Sequence, residues 1–368
     1  LPLWSSGWAA RSIARWPRWS HICCSYGWRQ EPPVHEPAFW YRSPSLASRL
    51  LMPLAAAYGA VAANRLVQEG VDAGIPVLCV GNYHVGGAGK TPSVLALAAL
   101  LREAGEAPIV LSRGYGGRLR GPVLVDPARH AAADVGDEPL MMAQRVPVVV
   151  AHDRVAGAAL ARSQGASVIL MDDGFQNPAI AKDASLIVID GERGIGNGAV
   201  FPAGPLRAPL APQLARTDAL VIVGGGTSAD PVAAAVAARG GLVLRAVLKP
   251  DEASVAALRG KRVLAFAGIG DPPRFFRTLR ASGVEVVAEK SFADHHPFSK
   301  SEIEALTARA RRDALTLVTT EKDFARLRGT AAAHHIVSFA VTLKFDDETK
   351  LLRFATDRLF KARAKKFR

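Results

Sequence analysis

Cysteine is scarce in this chain of 368 residues. The three present, Cys23, Cys24 and Cys79, form no disulfide framework and no metal-ligand spacing. Cys79 lies in an apolar run and reads as a small buried hydrophobe. A reducing cytoplasm is the compartment that fits. Leu50–Asn64 is uncharged, yet its 15 residues fall short of the ~20 that a spanning helix needs. Near the N-terminus there is no apolar core followed by a small-residue cleavage site, so no signal peptide is read. There is no internal repeat. There is also no Asn-Lys-x-Asp tetrad of the kind that reads guanine. Negative charge is in deficit, and the net charge is +13. The excess sits at the ends. Residues 1–49 carry +4 and residues 350–368 carry +7, which accounts for 11 of the 13. A nucleic-acid groove wants basic residues along a folded face, so nucleic acid is not expected as a partner. An anionic membrane surface suits the ends better.

What is present is concentrated at residues 75–101. Ile75–Val80 is a short, β-branched-rich run that predicts a buried strand. A glycine-rich turn follows, then Gly89-Lys90-Thr91, then the apolar stretch Val94–Leu101, which predicts a helix. This order is that of a phosphate-binding P-loop. Glycines let backbone N–H groups close around phosphate oxygens, and the helix N-terminus adds partial positive charge. Lys90 is placed to reach the β- and γ-phosphates, and Thr91 to offer a hydroxyl to Mg²⁺. The nucleotide loop is therefore assigned to His84, Val85, Gly86, Gly87, Ala88, Gly89, Lys90, Thr91 and Pro92. His84 stands where the usual pattern has glycine. Gly86 and Gly87 supply flexibility instead.

Further motifs fall at the ends of predicted strands. Pro108–Ser112 predicts a strand that runs into Arg113-Gly-Tyr-Gly-Gly117, and ligands of open α/β sheets bind at that end. Asp137 and Glu138 open a helical segment. Ser167–Met171 predicts a strand ending in Asp172-Asp173, where a carboxylate can hold Mg²⁺. The glycine- and proline-rich loop 191–212 carries Arg207, a candidate phosphate clamp. The strand pattern closes at Ala219–Val223 and restarts beyond Gly224–Gly226. This second part holds Asp294-His295-His296 and Thr320-Glu321-Lys322-Asp323. The paired histidines lack a third ligand at suitable spacing, so proton handling fits them better than metal.

Taken in order, these segments resemble one family. They are Val85-Gly-Gly-Ala-Gly-Lys-Thr-Pro92, SRGYGG at 112–117, GDEP at 136–139, DDGFQ at 172–176, GNG at 196–198, PAGPLR at 202–207, GIGDP at 268–272, DHH at 294–296 and TTEKD at 319–323. The family is the tetraacyldisaccharide 4′-kinases of lipid A biosynthesis. The resemblance spans about residues 38–345. It implies an ATP- and Mg²⁺-dependent kinase at the cytoplasmic face of the bacterial inner membrane, peripheral or monotopic. The acceptor would be the lipid A disaccharide 1-phosphate. It also implies that Lys90 and Thr91 serve phosphate and Mg²⁺, that Asp137 is general base with His295 as partner, that Asp172 and Asp173 serve the metal, and that Arg207 lies at the cleft. The family commonly reads PLRE, whereas Ala208 follows Arg207 here.

The expected architecture is α/β: a P-loop NTPase-like α/β/α unit, a smaller α/β unit and a membrane-associated N-terminal helix. Residues 1–36 are expected to be disordered or a mis-started extension, because the chain begins at Leu1 and five of its six tryptophans fall there without period. Residues 37–68 are assigned to an amphipathic membrane helix, 69–240 to the kinase unit, 241–349 to the smaller unit and 350–368 to a basic tail. A monomer is expected. The alternatives are a nucleotide-dependent switch, for which GTP would outcompete ATP, and a non-catalytic membrane scaffold.

Overall fold

The structure is a computed structural model that describes residues 36–42, 45–87 and 89–365. The expected disordered extension, apart from Glu36, lies outside the described residues, as does Ala88 of the nucleotide loop. The strands, in chain order, are β1 Val77–Gly81, β2 Pro108–Ser112, β3 Val123–Leu124, β4 Val148–Val150, β5 Val168–Asp172, β6 Ala184–Asp190, β7 Ala219–Val223, β8 Leu242–Pro250, β9 Arg262–Ala267, β10 Glu285–Ser291, β11 Thr316–Thr320, β12 Ile336–Phe339 and β13 Val341–Phe345. They form two sheets. The larger has nine strands in the order β13-β8-β7-β6-β1-β5-β2-β4-β3, and the smaller has four in the order β10-β9-β11-β12.

The central strands are short apolar runs because helices cover both faces, so neither face needs polar residues. Every residue of β1, β2, β5, β6 and β7 is buried. β1 lies between β5 and β6, and all three run parallel. The chain leaves β1 toward β2 on one side and later adds β6 and β7 on the other. The sheet's switch point is therefore at the C-terminal end of β1, where open α/β sheets bind ligands. Val80 pairs with Asp172 across that end, which sets the P-loop beside the carboxylate pair.

Sheet membership differs from the expected boundary at 240/241. β8 continues the large sheet, parallel to β7, and β13 returns from the second unit to close its edge antiparallel to β8. Gly224–Gly226 looks like a linker locally, but pairing between strands distant in sequence decides which sheet a strand joins.

The C-terminal segment also differs from expectation. In place of a basic tail, Glu348–Lys365 forms a helix. Its Leu351, Ala355, Leu359 and Ala362 are buried, and the first three join the core that holds the P-loop helix residues Val94, Leu97 and Leu101. Arg363 makes a two-pronged pair with Glu106, and Arg358 pairs with Asp218 at 3.1 Å. Its apolar stripe at helical spacing outweighs the charge count.

Leu46–Val67 is one helix of 22 residues, about 33 Å long. Its inward face is mostly small: Ser48, Ala55 and Gly59 are buried, with Leu66 near the C-terminal end. Ser48 donates to the Ala203 carbonyl at 2.8 Å, and Gly59 lies against Pro209 and Val200. Much of its apolar bulk faces outward: Leu46, Leu50, Leu54 and Val61 are each more than 60% exposed. The exposed face is apolar along its middle, with Arg49, Asn64 and Arg65 exposed toward the two ends. Among the described residues it is the one helix long and apolar enough to cross a membrane.

The buried stripe of the C-terminal helix makes a stability prediction. Leu351→Ala should cost about 2–5 kcal/mol, as leucine truncations in cores do. The denaturant midpoint measures it, and a change below about 0.5 kcal/mol would place the helix outside the core.

Candidate active site

The P-loop helix Lys90–Glu103 begins directly after Gly89, which adopts φ +87°. Gly86 has φ +105°, a conformation that a side chain would strain, and the Glu36 carboxylate already fills the space where a Cβ would go. Gly87 meets nothing within 4 Å, so the loop keeps an open backbone there. Val85 N–H is tied to the Pro205 carbonyl at 2.8 Å. Thr91 is buried at the helix start, and Pro92 follows in the first turn, where its missing N–H costs nothing. His84 is buried with no partner on Nε2. Burial first, then the adjacent Lys90 charge, pushes its ring down to about 4, so it is neutral.

The PAGPLR loop closes on this turn. Arg207 donates Nε–H to the His84 carbonyl at 3.0 Å and grips both oxygens of Asp173 at 2.9 and 3.1 Å. Lys90 Nζ stands 3.7 Å from Asp173. Burial pushes Asp173 up, but Lys90 and Arg207 outweigh it and hold the carboxyl at about 2. Asp172 behaves oppositely. Burial first, then the charges of Glu138 and Asp173, push it up to about 7. Its Oδ2 accepts from Ser112 at 3.2 Å, while its buried Oδ1 has no partner. An orphaned carboxylate oxygen beside Thr91 and Lys90 fits a Mg²⁺ ion. Mg²⁺ takes one or two carboxylates together with substrate phosphates and needs no protein cage. Among the described residues no group of three or more His, Cys, Asp or Glu forms such a cage.

The second half of the site comes from both sheets. Gly136, at φ +93°, turns the chain into the helix Asp137–Met142 and places Asp137 at its start. Asp137 is buried, and its Oδ1 accepts the Glu138 N–H at 2.9 Å. From the smaller sheet's loops, His295 Nδ1 lies 3.0 Å from Asp137 Oδ2, and Arg326 donates Nε–H to the same oxygen at 2.9 Å. Burial alone would raise the Asp137 carboxyl. The His295 hydrogen bond and the Lys322, His295 and Arg326 charges reverse this and hold it well below the usual carboxylate range. Tyr115 packs edge-on against His295, with ring centroids 5.4 Å apart.

Lys90, Thr91, Asp172, Asp173, Arg207 and the loop 84–89, where described, thus share one sheet edge. Asp137 and His295 meet as a pair at that edge, near enough for Glu138 to act on Asp172. Arg113 ends β2 at the same edge but is exposed and makes no ion pair among the described residues. Ala208 is fully buried in the apolar layer beneath the loop, and its carbonyl accepts from Gln213 at 2.8 Å. Sequence reasoning did not single out Arg326. It lies four residues beyond Lys322 on the same helical face, and that spacing was its one signal. Arg193 and Arg274 were missed as well. Arg193 pairs with Glu36 and Asp271, and Arg274 pairs with Asp190, so both join the two sheets.

A family model described as tetraacyldisaccharide-1-P 4′-kinase matches residues 47–359. The chain belongs to this family. A tetraacyldisaccharide 4′-kinase of Nitrobacter hamburgensis is 70% identical over 334 residues, covering 90% of this chain and all of the relative. One from Rhodopseudomonas palustris strain BisB18 is 68% identical, covering 90% and 98%. Among solved structures, the kinase of the same family from Aquifex aeolicus, crystallised with ATP, superposes with TM-score 0.66 at 26% identity, covering 85% of this chain and all of that one. Membership makes the chain an ATP- and Mg²⁺-dependent lipid kinase of lipid A biosynthesis, and the α/β fold agrees. The switch and scaffold alternatives fall away.

The Asp137 contacts predict a pH-dependent stability. Asp137→Asn removes one partner of a buried pair and should cost about 3 kcal/mol or more at neutral pH. A depressed carboxyl stabilises fully above its unfolded value of about 4 and loses that contribution as pH falls further. Urea midpoints of the parent and the variant should therefore draw together as pH falls below about 4. A gap that stays constant would show that Asp137 is not held ionised by its partners.

Proposed function

We propose that the chain transfers the γ-phosphoryl group of ATP to the 4′-hydroxyl of the disaccharide 1-phosphate at this sheet edge, with Asp137 as general base. The observation that carries the reading is the buried Asp137, 3.0 Å from His295 of the other sheet, at the edge where the P-loop ends. Asp137 accepts the hydroxyl proton, the sugar oxygen bonds to phosphorus, and the bond to the leaving ADP oxygen breaks. Oδ1 is the oxygen for that proton, since Oδ2 already accepts from two donors. Lys90 and the backbone N–H groups of Gly86, Gly87 and Gly89 hold the β- and γ-phosphates, and Lys90 exchanges Asp173 for them. Arg207 keeps Asp173 in place, and the exposed Arg113 is free to meet phosphate. Thr91 and the orphaned Asp172 oxygen would hold Mg²⁺, with Asp173 beside them. The ion, when bound, neutralises charge on the transferring group.

A transfer assay with labelled ATP and the disaccharide 1-phosphate in detergent tests these roles. Lys90→Ala should lower turnover about 10³-fold or more. Asp137→Ala should lower it about 10²-fold or more, the usual share of a general base. Near-normal transfer by Lys90→Ala would defeat the P-loop assignment, and near-normal transfer by Asp137→Ala would move the base elsewhere.

We further infer that Leu46–Val67 seats the enzyme on the cytoplasmic face of the inner membrane. Its outward Leu50, Leu54 and Val61 are apolar, and Arg49 and Arg65 flank its uncharged stretch to meet anionic headgroups. ATP supply points to the cytoplasmic side. Replacing Leu50 and Leu54 together with Glu should move most of the protein from vesicle pellet to supernatant. Turnover on detergent-dispersed substrate should stay within about threefold of the parent, because neither residue lines the catalytic edge. Undiminished co-sedimentation would remove this helix as the membrane contact.

A further inference from the structure

The motif TTEKD ends β11 and opens the helix Glu321–Leu327. Two of its side chains serve the fold. Thr320 Oγ1 caps the helix at the Asp323 N–H, 3.1 Å away, and Asp323 Oδ2 accepts the Gly268 N–H at 3.0 Å. Lys322 serves neither purpose. Its Nζ stands 3.1 Å from His295 Nε2, 3.3 Å from Glu138 Oε1 and 3.4 Å from Asp294 Oδ1. An ammonium has three donors and no lone pair. These three contacts use all three donors. Two partners are carboxylates, and the third is a ring nitrogen that must accept.

We propose that Lys322 is a positioning residue for the phosphoryl transfer, fixing His295 as a neutral imidazole with its proton on Nδ1 so that Asp137 stays an anion able to take the substrate proton. This rests on the reading of Asp137 as base and His295 as its partner.

The proton inventory follows from the geometry. Burial alone would favour loss of the Lys322 proton. Glu138 first, then Asp137 and Asp294, outweigh it and hold the ammonium above its usual range. A charged Lys322 occupies the Nε2 lone pair, so the ring carries one proton. That proton sits on Nδ1 and is donated to Asp137 Oδ2 at 3.0 Å. Arg326 already gives Asp137 one cationic partner at 2.9 Å. An imidazolium would add a second and weaken the carboxylate further as a base.

The groups facing His295 decide what happens without Lys322. Nε2 would then look toward Asp294, whose Oδ2 is 3.9 Å away, and toward Glu138, now without its lysine. Tyr115 packs on the ring face and adds no charge. Two carboxylates without a cation favour a second proton on the ring. Lys322 is not among the P-loop contacts, so ATP binding should not depend on it.

Two measurements test the assignment on the full chain in detergent. In ¹⁵N-histidine-labelled protein, long-range ¹⁵N–¹H correlations, assigned with His295→Gln, should show His295 protonated on Nδ1 and bare on Nε2 near pH 7. Protonation on Nε2 overturns the proposal, whatever the variants do. In the transfer assay, Lys322→Met should shift the acid limb of the kcat profile to higher pH by about one unit or more. It should lower kcat about tenfold on the acid side and leave the KM for ATP within about twofold. Lys322→Arg, which keeps the charge and donors, should restore part of the loss. A parental pH profile in folded Lys322→Met also overturns the proposal. Asp137→Asn separates the two readings. Full activity there would defeat the base assignment, while the tautomer measured on the parent chain would still stand or fall by itself.

Discussion

One buried carboxylate carries the arrangement. Asp137 starts a helix beside the large sheet, yet two of its partners, His295 and Arg326, come from the smaller sheet's side. Arg326 is partly buried, with its side chain 10% exposed, and it also binds Asp323 and the carbonyls of Gly268 and His296. Burying this much charge is tolerable only because each group has several partners. The cost of breaking the set holds the smaller sheet's loops against the edge where the P-loop ends. Arg193–Asp271 and Arg274–Asp190 add a second tie between the sheets. Asp137 and His295 are thereby set by the same contacts that join the two units.

The phosphate half depends on charges that wait in pairs. Lys90 rests against Asp173, and Arg207 holds Asp173 from the other side. A lone lysine at the mouth of the loop would repel neighbouring cations such as Arg207; the shared carboxylate prevents this. Asp172, one residue earlier, is left with a bare oxygen, and it is the group that gains most from a cation. Two adjacent carboxylates thus have opposite electrostatic settings, because one faces two cations and the other faces Glu138 and the protein interior.

The sequence made much of this legible, and the exceptions have physical causes. Buried parallel strands are continuous apolar runs, so β2 and β7 are readable almost to the residue. Glycine-rich turns at strand ends marked the site edge. β8 was misplaced because a sheet is assembled by pairing across the chain, and a local glycine run carries no trace of it. The C-terminal helix was misread because eight cations in 19 residues hid the stripe Leu351, Ala355, Leu359 and Ala362. Arg326 stood beyond the last recognisable motif residue. Asp137 and His295, 158 positions apart, lie 3.0 Å apart; motif spacing carried no trace of that, and only the family resemblance paired them.

The outward-facing helix and the Arg207–Asp173 pair are coupled through one loop. Ser48 and Gly59, on the helix's inner face, lock onto Ala203, Val200 and Pro209. Asn197 of the same loop reaches Ser48 and the Ala203 carbonyl. Three residues beyond Ala203, Leu206 pairs with His84 as an isolated bridge, and Arg207 then grips Asp173. A 22-residue helix is rigid on the scale of this loop, so any surface that seats its apolar face also fixes the height of the loop's anchor. Small residues on the inner face are what permit this. A Cβ at Gly59 would already touch Pro209 and Val200 at 3.4–3.6 Å, so the helix approaches the loop closely there. The mostly small inner face of the helix, Ser48, Ala55 and Gly59, therefore serves the packing of the loop that carries Arg207.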